Sequence, residues 1–242
     1  MNRLLGTAMD QEEKQRYSRQ VSLDGFGLEG QEKLLSSKVA VVGCGALGSM
    51  VAMQLAGAGV GKLVIADYDT VDISNLQRQY FFDTADAGRR KSEILADRIR
   101  RLNPGVCVEA FDRLVDKEFA LNLLADVDFV IDATDNPSSK AMIEEVSGIL
   151  SKPCCIAGVS GFHGQVMTIL PGDMRFTDLF DSIGDGGVLP CSLSGVIGPA
   201  AALCASVQSA EAIKYITGSG ATLQGKMFVF NLRDNSYNVY GT

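Results

Sequence analysis

Residues 39–66, VAVVGCGALGSMVAMQLAGAGVGKLVIA, constrain this chain more than any other stretch. The segment is apolar over a bilayer-spanning length, with Gln54 and Lys62 as its clear polar interruptions. Its internal order predicts something else. A valine-rich run, Val39 to Val42, is broken by Gly43, Gly45 and Gly48; Met50, Met53, Gln54 and Leu55 then fit a helix that Gly57, Gly59 and Gly61 end. Leu63 to Ala66 reads as a second buried strand. Strand, glycine turn, helix and parallel strand make a βαβ unit, whose strands are covered on both faces and so are continuously apolar.

The remaining chain keeps that rhythm. QEEKQRYSRQ and GLEGQEKLLSS have helical spacing and form an N-terminal arm before the first strand. Beyond the unit the pattern predicts a helix over 88–102, a strand over 106–110, a helix over 116–125, a strand over 127–131, a helix over 138–150 and a strand over 153–157, an α/β alternation. A strand over 165–170 follows, then a polar, glycine-rich stretch over 171–189 without a regular pattern, an alanine-rich helix over 197–217, and a hairpin of 226–231 and 236–240 turning at Arg233-Asp234-Asn235. With no internal repeat or linker, the expectation is one domain over 1–242: a helical arm (1–37), a nucleotide-binding core (38–158), and a crossing loop, long helix and hairpin (159–242).

Charge and cysteine usage narrow the partners. Net charge is -7, so no overall positive field draws the chain onto nucleic acid or an anionic membrane, and neither is an expected partner. The cysteines at 44, 107, 154, 155, 191 and 204 include no C-x-x-C pair, and the single histidine, His163, adds little metal-binding capacity. The N-terminal residues lack an apolar run with a small-residue cleavage signature, which reads as a cytoplasmic chain with reduced thiols.

Gly43, Gly45 and Gly48 between strand and helix let the backbone approach a phosphate, stabilised by the positive end of the helix. Asp67, ending the second strand, stands where a carboxylate accepts hydrogen bonds from ribose hydroxyls. These features fit an adenosine-type nucleotide without separating ATP from NAD. A dehydrogenase typically brings an acid-base group to the hydride-transfer site. Here the one histidine lies in a Gly-Phe-His-Gly sequence that reads as a turn. Instead Asp67, Asp69, Ser74, Asn75, Arg78 and Gln79 come in quick succession, with Lys91 following.

RYSRQ at 16–20, GCGALGS at 43–49, DYDTVDISNLQRQ at 67–79, GRRK at 88–91 and DATDN at 132–136 together resemble the MoeB/ThiF/HesA family, bacterial relatives of the ubiquitin-activating enzymes. The resemblance runs in order from about Arg16 to the final hairpin. It implies a Rossmann-like α/β fold with a mostly parallel sheet extended by antiparallel C-terminal strands. It also implies an ATP-dependent adenylyltransferase that converts the C-terminal Gly-Gly carboxylate of a small ubiquitin-like sulfur carrier protein into an acyl-adenylate. Carried over motif by motif, Gly43, Gly45, Ala46 and Gly48 hold the nucleotide and Asp67 its ribose, with Asp69, Ser74 and Gln79 in the same site. Asn75, Arg78 and Lys91 surround the phosphates; Asp135 holds or adjoins Mg2+, and Asn136 lines the pocket. Arg19 resembles an arginine that family members insert into the partner protomer's site, which implies a homodimer. The catalytic set is thus Arg19, Arg78, Lys91 and Asp135.

The chemistry suits this composition. Attack on the α-phosphorus builds negative charge that fixed cations and a metal stabilise. A terminal carboxylate, with an ordinary pKa of about 3.3–3.7, is already ionised near neutrality and needs no histidine base. Asp132 reads instead as a cap for the turn that follows it.

Many MoeB and ThiF proteins carry two C-x-x-C pairs that bind a structural zinc; this sequence has neither, so a zinc-free protein is expected. Cys191 is the nearest candidate for a covalent cysteine step and reads as a small apolar residue. Two alternatives remain on the same scaffold: activation of a carboxylate on modified tRNA, as in threonylcarbamoyl-adenosine dehydratases, for which Arg89, Arg90, Arg98, Arg100 and Arg101 could form a basic patch; and a non-catalytic nucleotide-binding partner of a ubiquitin-like protein.

Overall fold

The computed structural model describes residues 9–173, 176 and 195–241. Among these, eight strands form one sheet in the order β3-β2-β1-β4-β5-β6-β7-β8. The strands are β1 (Lys38–Val42), β2 (Lys62–Ala66), β3 (Cys107–Phe111), β4 (Phe129–Asp132), β5 (Cys154–Ser160), β6 (His163–Ile169), β7 (Lys226–Asn231) and β8 (Ser236–Gly241). The first five are parallel, and β6 to β8 continue the sheet antiparallel. The α/β class, the mostly parallel sheet and the antiparallel C-terminal extension expected from the sequence are all present.

The central strands owe their apolar runs to cover on both faces. Val39, Val41, Leu63, Ile65, Phe129 and Ile131 enter one core, while Ala40, Val42, Val64, Ala66 and Val130 enter the other, the period-2 alternation of a strand. The first core lies under α3 (Gly27–Ser36), α4 (Gly48–Ala58), α5 (Lys91–Leu102) and α8 (Gly198–Thr217). The second lies under α6 (Lys117–Leu124) and α7 (Pro137–Ile149). No helix among the described residues is long and apolar enough to cross a membrane, because the 39–66 segment is spent on β1, α4 and β2.

Local chemistry sets the helix ends. In the arm, α1 (Gln11–Arg16) starts on a capping box in which the Asp10 carboxylate accepts from the Glu13 N–H and the Glu13 carboxylate from the Asp10 N–H; α2 (Ser18–Val21) follows. Asp116 and Asn136 cap α6 and α7, placing the starts of these helices one residue from the sequence expectation. Gly57 lies inside α4, and Gly59, left-handed at φ 90°, ends it. Gly88 does not open α5. It sits at φ 82° and donates to the Val71 carbonyl, so residues 88–90 run as a short extended pairing with 70–71 and α5 begins at Lys91. β5 runs three residues past its expected end because β6 pairs with it to Ser160. The glycine-rich 171–189 stretch and Cys191 fall largely or wholly outside the described residues.

Strand order reverses between β1 and β4. In open parallel sheets, the carboxyl ends of strands at such a switch point form a crevice, and here the loops after β1, β2, β3 and β4 meet there beside the second half of β5.

Candidate functional site

The crevice is a cleft of about 620 Å³. Its floor is the loop after β1. Gly43 adopts φ 95°, and a Cβ there would lie 2.7 Å from the Ala133 carbonyl oxygen, so the turn is open only to glycine. Gly48 is held as tightly: a Cβ would stand 1.8 Å from the Gly43 carbonyl oxygen. It does not line the cleft, and its work is to seat α4 against the loop. Gly45 differs. It lines the cleft with Ala46, and a Cβ there would find only Gln79 Nε2, at 3.6 Å. The empty space beside Gly45 therefore belongs to the cleft. Leu47 precedes α4 without a side-chain cap; the Ser49 N–H turns back to the Gly45 carbonyl, and the positive end of the helix faces the loop.

Asp67 closes the loop from the β2 side. Its Oδ2 accepts from the Cys44 N–H at 2.6 Å and its Oδ1 from the Asp69 N–H at 2.7 Å. Burial pushes its pKa above the ordinary aspartate value, with these two hydrogen bonds opposing. Each oxygen retains a lone pair for a ribose hydroxyl. Burial, then the nearby Asp67 charge, pushes the Cys44 thiol well above its usual value, which leaves it a small neutral packing group.

The strip after Asp67 presents cations. Asp72 opens a single 3-10 turn, Ile73–Asn75, and is bonded reciprocally with Asn75. Arg78 Nη1 then donates to the Ser74 carbonyl at 3.0 Å. Asn75, Arg78 and Gln79 line the cleft; Ser74 does not, and supports Arg78 from behind. Gln79 is buried, with Oε1 unpartnered among the described residues, as fits a side chain waiting for a ligand. Lys91, 5% exposed, places Nζ 3.0 Å from Asp69 Oδ2, and its backbone N–H donates to the Asp69 carbonyl. The extended pairing that delays α5 is what brings these two residues together.

The loop after β4 forms the opposite wall. Asp135 faces the cleft, exposed and without a hydrogen bond or ion pair among the described residues. Asn136 lines the cleft too, but its side-chain Oδ1 is spent capping α7, accepting from the Ser139 N–H and the Ser138 hydroxyl. Asp132 caps its turn as expected, Oδ1 accepting from the Thr134 N–H and hydroxyl. The sequence reading missed its second partner: Lys140 Nζ donates to Asp132 Oδ2 at 2.8 Å.

The donor set fits a magnesium nucleotide. Mg2+ keeps waters and phosphate oxygens and needs one or two carboxylates, and Asp135 is a carboxylate with nothing else to do. No group of three or more His, Cys, Asp or Glu able to hold a metal by itself occurs among the described residues.

Arg19 lies elsewhere. It is exposed on α2, without a side-chain partner among the described residues, and its neighbour Gln20 donates to the Ala58 carbonyl at the C-terminal end of α4. The cleft is at the other end of that 11-residue helix, roughly 16 Å away at 1.5 Å per residue. His163 begins β6 opposite Asn231, outside the cleft lining. In the arginine cluster, Arg89, Arg90, Arg98 and Arg100 each meet a carboxylate within about 3.0 Å, Asp86, Asp112, Asp83 and Asp97 in turn. The patch is largely neutralised in place.

The glycine loop, Asp67, Arg78, Lys91 and Asp135 thus line one cleft at the switch point of an α/β sheet. Residues 17–240 match the ThiF family, and the chain belongs to that family. It is 36% identical over 232 residues to the sulfur carrier protein ThiS adenylyltransferase of Escherichia coli K12, covering 95% of this chain and 91% of that protein. It is 35% identical over 239 residues to the probable adenylyltransferase/sulfurtransferase MoeZ of Mycobacterium tuberculosis, covering 96% of this chain but spanning only 61% of that protein. Among solved structures, the crystal structure of selenomethionine PaaA superposes with a TM-score of 0.81 at 27% identity, covering 100% of this chain and 77% of that one.

Proposed function

We propose that this chain is an ATP-dependent adenylyltransferase that activates the C-terminal Gly-Gly carboxylate of a small ubiquitin-like sulfur carrier protein, without a structural zinc. The observation that carries the reading is the convergence, in one cleft, of an open glycine loop at a helix N-terminus, the buried Lys91, Arg78 and the unpartnered Asp135. Relatives named as adenylyltransferases over nearly the whole chain support it.

In this reading Asp67 holds the ribose, and the loop amides with Asn75 and Gln79 hold the phosphate chain. The carrier carboxylate attacks the α-phosphorus, the bond to the bridging oxygen breaks, and pyrophosphate leaves with the electron pair. Arg78 and Lys91 offset the charge that builds on the phosphate oxygens. Lys91 is well placed, since a buried ammonium is pre-aligned and weakly screened. Mg2+, held by Asp135 and phosphate oxygens, would supply further neutralisation of the leaving group. Arg19 belongs to the site of a second copy in a homodimer, because its own cleft lies a helix length away.

Pyrophosphate exchange into ATP, measured with intact carriers and carriers lacking the last glycine, tests this. Exchange confined to intact carriers is expected. Nucleotide binding without exchange for any carrier would instead favour a non-catalytic binding partner. Activation of modified tRNA is disfavoured by the paired arginines, and tRNA binding with a steep salt dependence would restore it.

A further inference from the structure

Lys140 lies one turn into α7, its side chain 12% exposed. Nζ donates to Asp132 Oδ2 at 2.8 Å and to the Ala157 carbonyl at 2.7 Å, while Asp132 itself is fully buried. The other carboxylate oxygen of Asp132 accepts from the Thr134 N–H at 3.0 Å and its hydroxyl at 2.6 Å. Gln208 Nε2 fastens the same corner by donating to the Asp132 and Cys155 carbonyls. Residues 132–134 are thus clamped between α7, α8 and β5, and the next residue is Asp135, free in the cleft.

A buried ion pair adds little net stability over apolar packing of the same volume. What this pair does supply is direction: two charge-assisted bonds from one ammonium fix the end of β4 against the middle of β5. We propose that Lys140 is a positioning residue, holding Asp135 where a magnesium-bound phosphate requires its carboxylate. Lys140 borders the cleft, but its ammonium is turned to Asp132 and the Ala157 carbonyl, so in this scheme it acts through Asp132 and Thr134 and not on the substrate. The inference rests on the adenylyltransferase reading above.

The test compares Lys140→Met, Lys140→Arg and the double variant Lys140→Met/Asp132→Asn in the full chain. The double variant removes both buried charges, which matters because Lys140→Met alone leaves a buried carboxylate unpaired and can unfold the protein. ATP binding is measured calorimetrically without metal and with saturating Mg2+, and carrier-dependent exchange is titrated with Mg2+. In the double variant, metal-free ATP affinity should stay within about threefold of the unmodified chain, while the affinity gained from Mg2+ falls by about tenfold or more. The Mg2+ needed for half-maximal exchange should rise by a similar factor, about 1.4 kcal/mol of lost positioning. Lys140→Arg should recover most of the Mg2+ gain, and in an Asp135→Asn background the double change should add no further loss. A folded double variant with unchanged Mg2+ dependence overturns the proposal. So does an equal loss of metal-free and Mg2+-dependent binding, which would make Lys140 a general support for the cleft. If the unmodified chain shows no exchange with any carrier, the adenylyltransferase reading itself fails and takes this inference with it.

Discussion

Gly45→Ala separates what the loop does for the fold from what it does for the nucleotide. A Cβ at Gly45 meets nothing closer than Gln79 Nε2 at 3.6 Å, and the backbone there is not left-handed. The folded chain should accept it with a stability change of about 1 kcal/mol or less. In the cleft the same methyl occupies space a phosphate oxygen needs, at the cost of one charge-assisted hydrogen bond from a loop amide, about 1.5–3 kcal/mol. That converts to roughly 10- to 150-fold weaker ATP binding. Gly48→Ala should do the reverse, because its Cβ would stand 1.8 Å from the Gly43 carbonyl oxygen and force α4 off the loop. Overpacking of that kind costs about 1–3 kcal/mol or more, lowering the melting temperature by about 2–4 °C per kcal/mol in a chain this size. Calorimetric ATP titration and thermal melts on both variants give the comparison. Gly45→Ala binding ATP within threefold of the unmodified chain would refute the assignment of the loop to phosphate.

Lys91→Ala and Arg78→Ala should each slow carrier-dependent exchange by about tenfold or more, if each cation contributes over 1.4 kcal/mol at the transition state. Lys91→Ala should melt only a few degrees lower, since its partner Asp69 is half-exposed and stays hydrated. Arg19→Ala and Arg78→Ala proteins, each impaired alone, should partly restore exchange when mixed; no recovery would mean that Arg19 does not act across a dimer. Burial raises the folded-state pKa of Asp67 above its unfolded value, so the folded chain holds that proton more tightly. Its contribution to stability is therefore present below the unfolded value and lost as pH rises through the folded one. Ribose binding has the opposite demand, for the carboxylate, so ATP affinity should begin to fall at a higher pH than an ordinary aspartate would give. An acid limb at the usual aspartate pKa would contradict that.

The parts of the fold legible in the sequence are those written in short-range pattern. The apolar runs of β1 and β2 and the glycines between them act within a few positions, and the structure shows them. The start of α5 was missed because Gly88 and Arg90 pair with a segment about twenty residues earlier, which local helical spacing does not register. Motifs marked Gly48 and Ser74 as site residues, yet each stands behind the lining and holds a neighbour in place. Lys140 went unseen for a similar reason. Its spacing fits an exposed turn of α7, and only the approach of Ala157, 17 residues on, makes it a buried clamp.

The central claim is chemical: the cleft joins a carrier tail to AMP. Purified protein incubated with ATP, Mg2+ and an intact glycine-terminated carrier, then examined by intact-mass spectrometry of the carrier, tests it most directly. The carrier should gain one adenylate at its C-terminal carboxylate, and a carrier lacking the last glycine should not. ATP bound at the cleft with every carrier's mass unchanged would contradict it.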